Sequence, residues 1–346
     1  MTAPAVRAWL ERALVARWYG PSPITLLWPL ARLYAALAWL NRWAWRWRQP
    51  WRAPCPVLVV GNLVVGGAGK TPTVIALVQA LRQRGWRPGV VSRGHGRRSR
   101  GVVLAAPGVG ATTLGDEPWL IARHTGVPVA VAARRADAAQ ALLSAHPAVD
   151  LLIADDGLQH AALARDAELW VFDERGAGNG ALLPAGPLRQ PLPATVPATV
   201  NVLYNARSAT TALPGLLAVR ALAGAVPLAD WHQGAAMQAG ALAALRGRAV
   251  LALAGIAAPE RFFGMLRAEG LTLTALPLPD HADLSTPPWP AGTPTVLCTE
   301  KDAAKLDPAA CGATRVWVVG LDFRLPPELI ADLDRRLRGA RSAAAP

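Results

Sequence analysis

Residues 57–73 read V-L-V-V-G-N-L-V-V-G-G-A-G-K-T-P-T, and few architectures accommodate such a run. An apolar strand over Val57–Val60 enters a glycine-rich turn, and Lys70-Thr71 opens a helix-like segment reaching about Arg84. A parallel α/β sheet puts a turn of this kind at the carboxyl end of a strand, where backbone N–H groups can face a polyphosphate. The lysine then reaches the β- and γ-phosphates of a nucleotide such as ATP, and the threonine hydroxyl ligates Mg2+. The new helix adds the positive end of its dipole. Val64 stands where the strict G-x-x-x-x-G-K-[ST] consensus has its first glycine, but the core Gly66-Gly67-Ala68-Gly69-Lys70-Thr71 is intact. A glycine-rich turn with a chance lysine is the bland alternative, and the flanking strand and helix argue against it. So does the lysine itself, because only three of the 36 basic residues are lysines: Lys70, Lys301 and Lys305.

Further along, strands are expected at Gly89–Val91, Val102–Leu104, Val127–Ala132, Leu151–Ala154 and Leu169–Phe172, with helical patterns at Glu117–His124 and Arg135–Ser144. Strands alternating with helices imply a parallel sheet covered on both faces, with its ligand edge beyond the carboxyl ends of the strands. A Gly-, Pro- and Leu-rich break at Gly176–Pro197 precedes a second α/β region. The fold class expected is α/β: a P-loop NTPase-like parallel sheet, a smaller α/β domain and an N-terminal membrane-interacting helix. The domain boundaries expected are residues 1–51, 52–200 and 201–340.

The chain is 346 residues long, 52% apolar, with a net charge of +13. Length and apolar content fit a globular protein with a proper core. Cys55, Cys298 and Cys311 share no metal-ligand or C-x-x-C spacing, which fits a reducing cytoplasm. No zinc-finger spacing or aromatic RNA-binding pattern accompanies the positive charge, so nucleic acid is not the expected partner. An anionic membrane surface or a phosphorylated substrate is preferred. Eight of the 14 tryptophans fall between Trp9 and Trp51, interleaved with Arg17, Arg32, Arg42, Arg46 and Arg48. Tryptophan and arginine bordering an apolar face describe a helix lying in the headgroup region. A spanning helix and a helix packed on the protein's own core are the alternatives. No cleavage site follows, so a removable signal peptide is not expected.

Leu151–Ala154 runs into Asp155-Asp156, a strand ending in two carboxylates as in a Walker B element that holds Mg2+. Beside a P-loop this outweighs acids that merely cap a turn. Gly157-Leu158-Gln159-His160 continues the same loop. Asp116-Glu117-Pro118 is ordinary helix-opening chemistry, or it supplies a base for a substrate hydroxyl. His281, between Asp280 and Asp283, is an oriented acid/base or part of a solvated loop. Thr299-Glu300-Lys301-Asp302 faces a cleft or forms a surface ion-pair cluster.

Taken together the segments resemble the tetraacyldisaccharide 4'-kinase family, the lipid A 4'-kinases of Gram-negative bacteria. The resemblance rests on Gly61–Pro72, Ser92–Gly94, Gly115–Pro118, Asp155–Asp166, Leu182–Arg189, Gly255–Phe262, Pro279–His281 and Thr299–Ala303, in family order. It implies a kinase that uses ATP and Mg2+ to phosphorylate the 4'-hydroxyl of an acylated glucosamine disaccharide 1-phosphate. It implies work at the cytoplasmic face of the bacterial inner membrane, and a monomer is expected. By position, Gly66, Gly67, Ala68, Gly69, Lys70 and Thr71 hold the nucleotide, and Thr71, Glu117, Asp155 and Asp156 form the metal set. Asp116 falls at the family's catalytic base, with His281 as its partner from the other domain and Lys70 in a catalytic role. Arg93, Arg135, His160 and Arg189 fall at contacts to phosphates and substrate. His95 departs from the usual tyrosine and Gln190 from a frequent glutamate. The competing reading is a membrane-associated P-loop ATPase of the deviant-Walker partition type, whose signature lysine is here Val65.

Overall fold

The computed structural model describes residues 14–20, 24–280 and 282–344. They form two compact units that do not follow chain order. The first comprises Met1–Arg93, Val127–Ala218 and Leu325–Pro346, and the second Gly94–Gly126 and Val219–Arg324. The contiguous boundaries expected near residues 51 and 200 therefore differ from the observed division. Asp116–Thr125 and Pro327–Ala344 form helices, and periodicity alone does not say which sheet each one covers.

In the first unit, neighbouring strands run in the order Val129–Val131, Pro88–Ser92, Leu151–Asp155, Val57–Gly61, Ala167–Asp173, Val200–Asn205 and Leu216–Leu217. Every pairing between them is parallel. The Val57–Gly61, Pro88–Ser92 and Leu151–Asp155 strands are buried at every position, as parallel strands covered on both faces must be. Helices Lys70–Gln83 and Arg135–Ala145 pack on this sheet. The C-terminal helix Pro327–Ala344 lies against Lys70–Gln83. Trp86 joins them: its indole N–H donates to Asp334 at 2.7 Å, and Arg338 and Arg341 stack on its ring.

Helix Trp28–Trp47 belongs to the same unit. Ala31 on one side is buried, whereas Leu30, Leu33, Leu37 and Leu40 on the other are 49–57% exposed. Their spacing of three and four residues makes a single apolar stripe. Packing wholly against the core is thereby excluded for this helix. No helix among the described residues is long and apolar enough to cross a membrane.

The second unit holds a sheet in the order Leu273–Pro277, Val250–Ala254, Thr295–Thr299, Arg315–Arg324 and Val219–Pro227. The last strand is antiparallel to its neighbour, and the sequence pattern did not reveal it. Successive residues point to opposite faces of a strand. Val226, Val296 and Val318 accordingly join one core cluster with Leu120 and Trp231, while Ala225, Leu297 and Val319 join another with Phe262 and Phe263.

Candidate active site

Five adjacent parallel strands of the first unit end in buried polar residues. Ser92, Asp155, Asp173 and Asn205 are the last residues of their strands, and Asn62 follows Gly61; none exceeds 4% exposure. Buried polar groups survive only when they are hydrogen-bonded, and here three of them build the loop between Gly61 and Lys70. The Asn62 amide donates to the Gly66 carbonyl at 2.9 Å, and the Asn205 amide donates to the Ala68 carbonyl at 3.0 Å. Asp173 grips the Arg175 guanidinium at 2.8 Å, and Arg175 donates to the Gly67 carbonyl at 2.8 Å. A trans peptide is planar, with its C=O and N–H opposed. Anchoring the carbonyls of Gly66, Gly67 and Ala68 therefore turns the N–H groups of Gly67, Ala68 and Gly69 the other way, as an anion cradle requires. Gly69 has φ +86 and abuts the Asn205 amide, so only glycine fits there.

Lys70 opens helix Lys70–Gln83, with Thr71 next to it. Its ammonium donates to Asn62 Oδ1 at 3.2 Å and lies 3.6 Å from Asp156. Arg189 reaches Asp156 at 3.3 Å and Gln159 at 3.1 Å. Burial alone would raise the Asp156 carboxyl, but Lys70, Arg189 and Arg135 together hold it below the usual carboxylate range. Asp156 has φ +47, and it is the one non-glycine with positive φ among the described residues. Its neighbour Asp155 is buried and accepts the Ser92 hydroxyl at 3.0 Å.

Arg135 is 2% exposed and donates through Nη2 to the carbonyls of Asp155 and Asp156, both at 3.2 Å. Its Nε and Nη1 are buried without a hydrogen-bond partner among the described residues. Burial lowers its pKa to about 10, so it stays charged at neutral pH. Burial, with Arg135 and Arg93 adding to it, pushes His160 down to about 4. His160 is therefore a neutral imidazole at physiological pH, not a second cation.

In the second unit, Asp116 and Glu117 begin helix Asp116–Thr125. A Cβ on Gly94 would come within 2.6 Å of the Leu114 carbonyl, and one on Gly115 within 2.9 Å of the His95 carbonyl. The S-R-G and G-D-E-P motifs thus each need their own glycine, Gly94 and Gly115, because their backbones meet. The His95 side chain is exposed, so its exchange for the usual tyrosine leaves that contact intact. Asp116 pairs with Lys305 at 3.2 Å, and Glu117 pairs with Lys301 at 3.3 Å. Lys301 also holds Asp280 at 2.9 Å. Burial would lower the Lys301 pKa, but Glu117 and Asp280 raise it. All three lysines of the chain are thus nearly buried, with side chains 8–14% exposed, and each ammonium sits on a candidate site acid.

Asp302 is a structural partner to this set. It accepts the Gly255 N–H at 3.1 Å and the Thr299 hydroxyl at 2.7 Å, which ties the G-I-A and T-E-K-D motifs together. His281 lies outside the described residues. Asp116 shares a compact unit with Asp280 and Ala282, which corrects the expectation that Asp116 stands in the P-loop domain and faces its partner from across a cleft. Glu117, expected among metal ligands with Asp155 and Asp156, belongs to the second unit, whereas those aspartates belong to the first.

No local sequence signal marks Arg175 or Asn205 as functional, and Asn62 is set apart only by lying inside the Gly61–Pro72 motif. Lys305 is marked only by the rarity of lysine, and Lys301 also by its place in Thr299–Ala303.

The parallel sheet, the carbonyl-anchored loop and the strand-tip aspartates define a P-loop kinase. The profile of the family described as tetraacyldisaccharide-1-P 4'-kinase matches residues 24–338, and the chain belongs to that family. It is 52% identical over 339 residues to the tetraacyldisaccharide 4'-kinase of Methylibium petroleiphilum, covering 96% of this chain and 95% of that one. It is 53% identical over 282 residues to the enzyme of the same name from Leptothrix cholodnii, covering 80% and 81%. The crystal structure of LpxK from Aquifex aeolicus in complex with ATP superposes with a TM-score of 0.72 at 25% identity, covering 90% of this chain and 99% of that one. Membership leaves no place for the partition-ATPase alternative.

Proposed function

We propose that the protein transfers the γ-phosphoryl group of ATP to the 4'-hydroxyl of a tetraacylated glucosamine disaccharide 1-phosphate, giving lipid IVA on the path to lipid A. The observation that carries this reading is the loop whose three carbonyls are anchored from behind, beside Lys70 and the aspartate-tipped strand, in a member of this family. Phosphoryl transfer needs mostly positioning and neutralisation of charge. Lys70 exchanges Asn62 and Asp156 for the β- and γ-phosphates. Asp116 takes the proton of the sugar hydroxyl, with His281 as its partner. Arg93, Arg135 and Arg189 face phosphate groups, and neutral His160 offers a hydrogen bond to the substrate.

The donor atoms near the loop suit magnesium. Thr71, Asp155 and Asp156 offer hard oxygens, and Mg2+ is commonly held by one or two carboxylates together with substrate phosphates. Among the described residues no group of three or more His, Cys, Asp or Glu could hold a metal by itself, so the phosphates would complete the shell. When bound, the ion neutralises charge on the β- and γ-phosphate oxygens.

The acceptor is a lipid, and the exposed stripe Leu30, Leu33, Leu37 and Leu40 supports docking of helix Trp28–Trp47 on an anionic membrane surface. Beneath that helix a cavity of about 850 Å³ is lined by Tyr34, Leu37, Trp45, Arg42, Arg165 and Arg189. Its apolar wall suits an acyl chain, and its arginines suit a sugar phosphate. The protein acts as a monomer on the cytoplasmic surface of the inner membrane.

The test is mass spectrometry of tetraacyldisaccharide 1-phosphate after incubation with Mg·ATP. The expected product carries one further phosphate at the 4' position, and Lys70→Ala reduces its formation by orders of magnitude without unfolding the protein. ATP turnover that ignores the lipid acceptor, or a fully active Lys70→Ala, contradicts the proposal.

A further inference from the structure

We propose that the N-terminal segment is a working part of the phosphoryl-transfer site, acting through two positioning residues, Tyr19 and Tyr34. The inference rests on the kinase reading of the P-loop and of Arg189 given above. The chain has only three tyrosines, and two of them lie before Trp51. Both reach active-site loops within the first unit.

Tyr34 stands on helix Trp28–Trp47 and donates its hydroxyl to the main-chain carbonyl of Arg189 at 2.9 Å. The Arg189 N–H donates to the Leu63 carbonyl at 2.7 Å, just before the glycine loop. The backbone of Arg189 is therefore pinned from both sides. Its guanidinium can hold Asp156 at 3.3 Å only while that backbone stays in place. The Tyr34 hydroxyl thus acts on the Asp156 end of the site through one intervening residue.

Tyr19 acts on the other end. Its ring lies 5.1 Å from the Arg175 guanidinium, the group that Asp173 grips and that anchors the Gly67 carbonyl. A ring face attracts a guanidinium and shields it from water, and the attraction grows with desolvation. The segment carrying Tyr19 is itself fixed. Trp18 is 7% exposed, its indole donates to the Pro184 carbonyl at 2.8 Å, and its own carbonyl accepts the Asn179 N–H at 2.8 Å. A bare anchor would need only its apolar stripe. This segment also has an inner face whose polar and aromatic groups end on the phosphate loop and on the loop of Asp156.

The experiment separates positioning from anchoring. Tyr34→Phe removes one hydroxyl and keeps the ring. It should lower kcat for lipid phosphorylation in mixed micelles by roughly three- to tenfold, the effect of one hydrogen bond. KM for ATP and partitioning into phosphatidylglycerol-containing vesicles should not change. Tyr19→Leu removes the ring face and should weaken binding of a Mg-bound non-hydrolysable ATP analogue by roughly threefold or more, with no lipid present. Tyr19→Phe, which keeps a ring over Arg175, should restore most of that affinity. Wild-type constants in either Tyr34→Phe or Tyr19→Leu overturn the inference, as do losses that simply track vesicle partitioning. Failure of the unsubstituted protein to bind the Mg-bound analogue would instead remove the kinase reading on which the inference stands.

Discussion

Gly69→Ala tests whether the loop's backbone, and not its lysine alone, makes the phosphate site. Gly69 has φ +86, and a Cβ there would overlap Asn205 Nδ2. Two costs follow. Left-handed backbone costs an L-residue about 1–2 kcal/mol. Asn205 must also swing away from the Ala68 carbonyl that it holds at 3.0 Å, leaving a buried amide unsatisfied at about 1–3 kcal/mol. The sum, about 2–5 kcal/mol, falls on one loop whose native shape is needed only when nucleotide binds. At the lower limit, affinity for a Mg-bound ATP analogue drops about 30-fold. Isothermal titration calorimetry reads this directly, with circular dichroism to confirm that the protein remains folded. Asn205→Ala alone gives up one hydrogen bond, about 1 kcal/mol, or roughly fivefold in affinity. In the double variant no amide is left to displace, so the combined loss should be smaller than the product of the single losses. Strictly multiplicative losses, or wild-type affinity in Gly69→Ala, refute the argument.

Three further outcomes are expected. With its pKa pushed down to about 4, His160 stays neutral in the folded protein while the unfolded chain takes up a proton near the ordinary value of about 6.5. Its contribution is therefore lost as pH falls from about 6.5 towards 4, and His160→Gln should flatten the melting-temperature profile across that window. Gly255→Ala would bring a Cβ within 2.7 Å of the buried Asp302 carboxylate; a loss of about 2–4 kcal/mol is expected on chemical denaturation, and an unchanged midpoint would contradict the structural role given to Asp302. Amine acylation mapped by mass spectrometry should find the three lysines slow to react in the folded protein, with Mg·ATP further protecting Lys70 but not Lys305.

Much of the first unit was legible because its signals are local. A buried strand leading into glycines and a lysine has few other uses, and Leu151–Asp155 announces itself by an apolar run ending in acid. The supports of the loop were not legible. Arg175 and Asn205 lie 108 and 137 residues from the carbonyls they hold, and neither stands in a motif of its own. The placement of Asp116 was misread for a related reason. The Gly94–Gly126 segment continues the strand-and-helix rhythm of its neighbours, and rhythm carries no label for the unit it joins. Lys301 and Lys305 were readable as a question only. Their answer needed distances, because a compact ammonium on Asp116 or Glu117 looks in sequence like any other basic residue.

The discontinuous composition of the first unit has a consequence for biosynthesis. The P-loop helix ends beside Trp86, whose indole is capped by Asp334 and contacted by Arg338 and Arg341. A ribosome that has made the whole Lys70–Gln83 helix must still add some 250 residues before that cap exists, as the 248-residue separation of Trp86 and Asp334 records. The second unit draws on Gly94–Gly126 and Val219–Arg324, so all of its chain has been made before Leu325 is added. Domains generally fold as units while the chain emerges. The nucleotide-binding half, although encoded first, would then be the last to close, and released chains truncated shortly before Leu325 should already protect the smaller unit from protease while leaving the P-loop half open to cleavage.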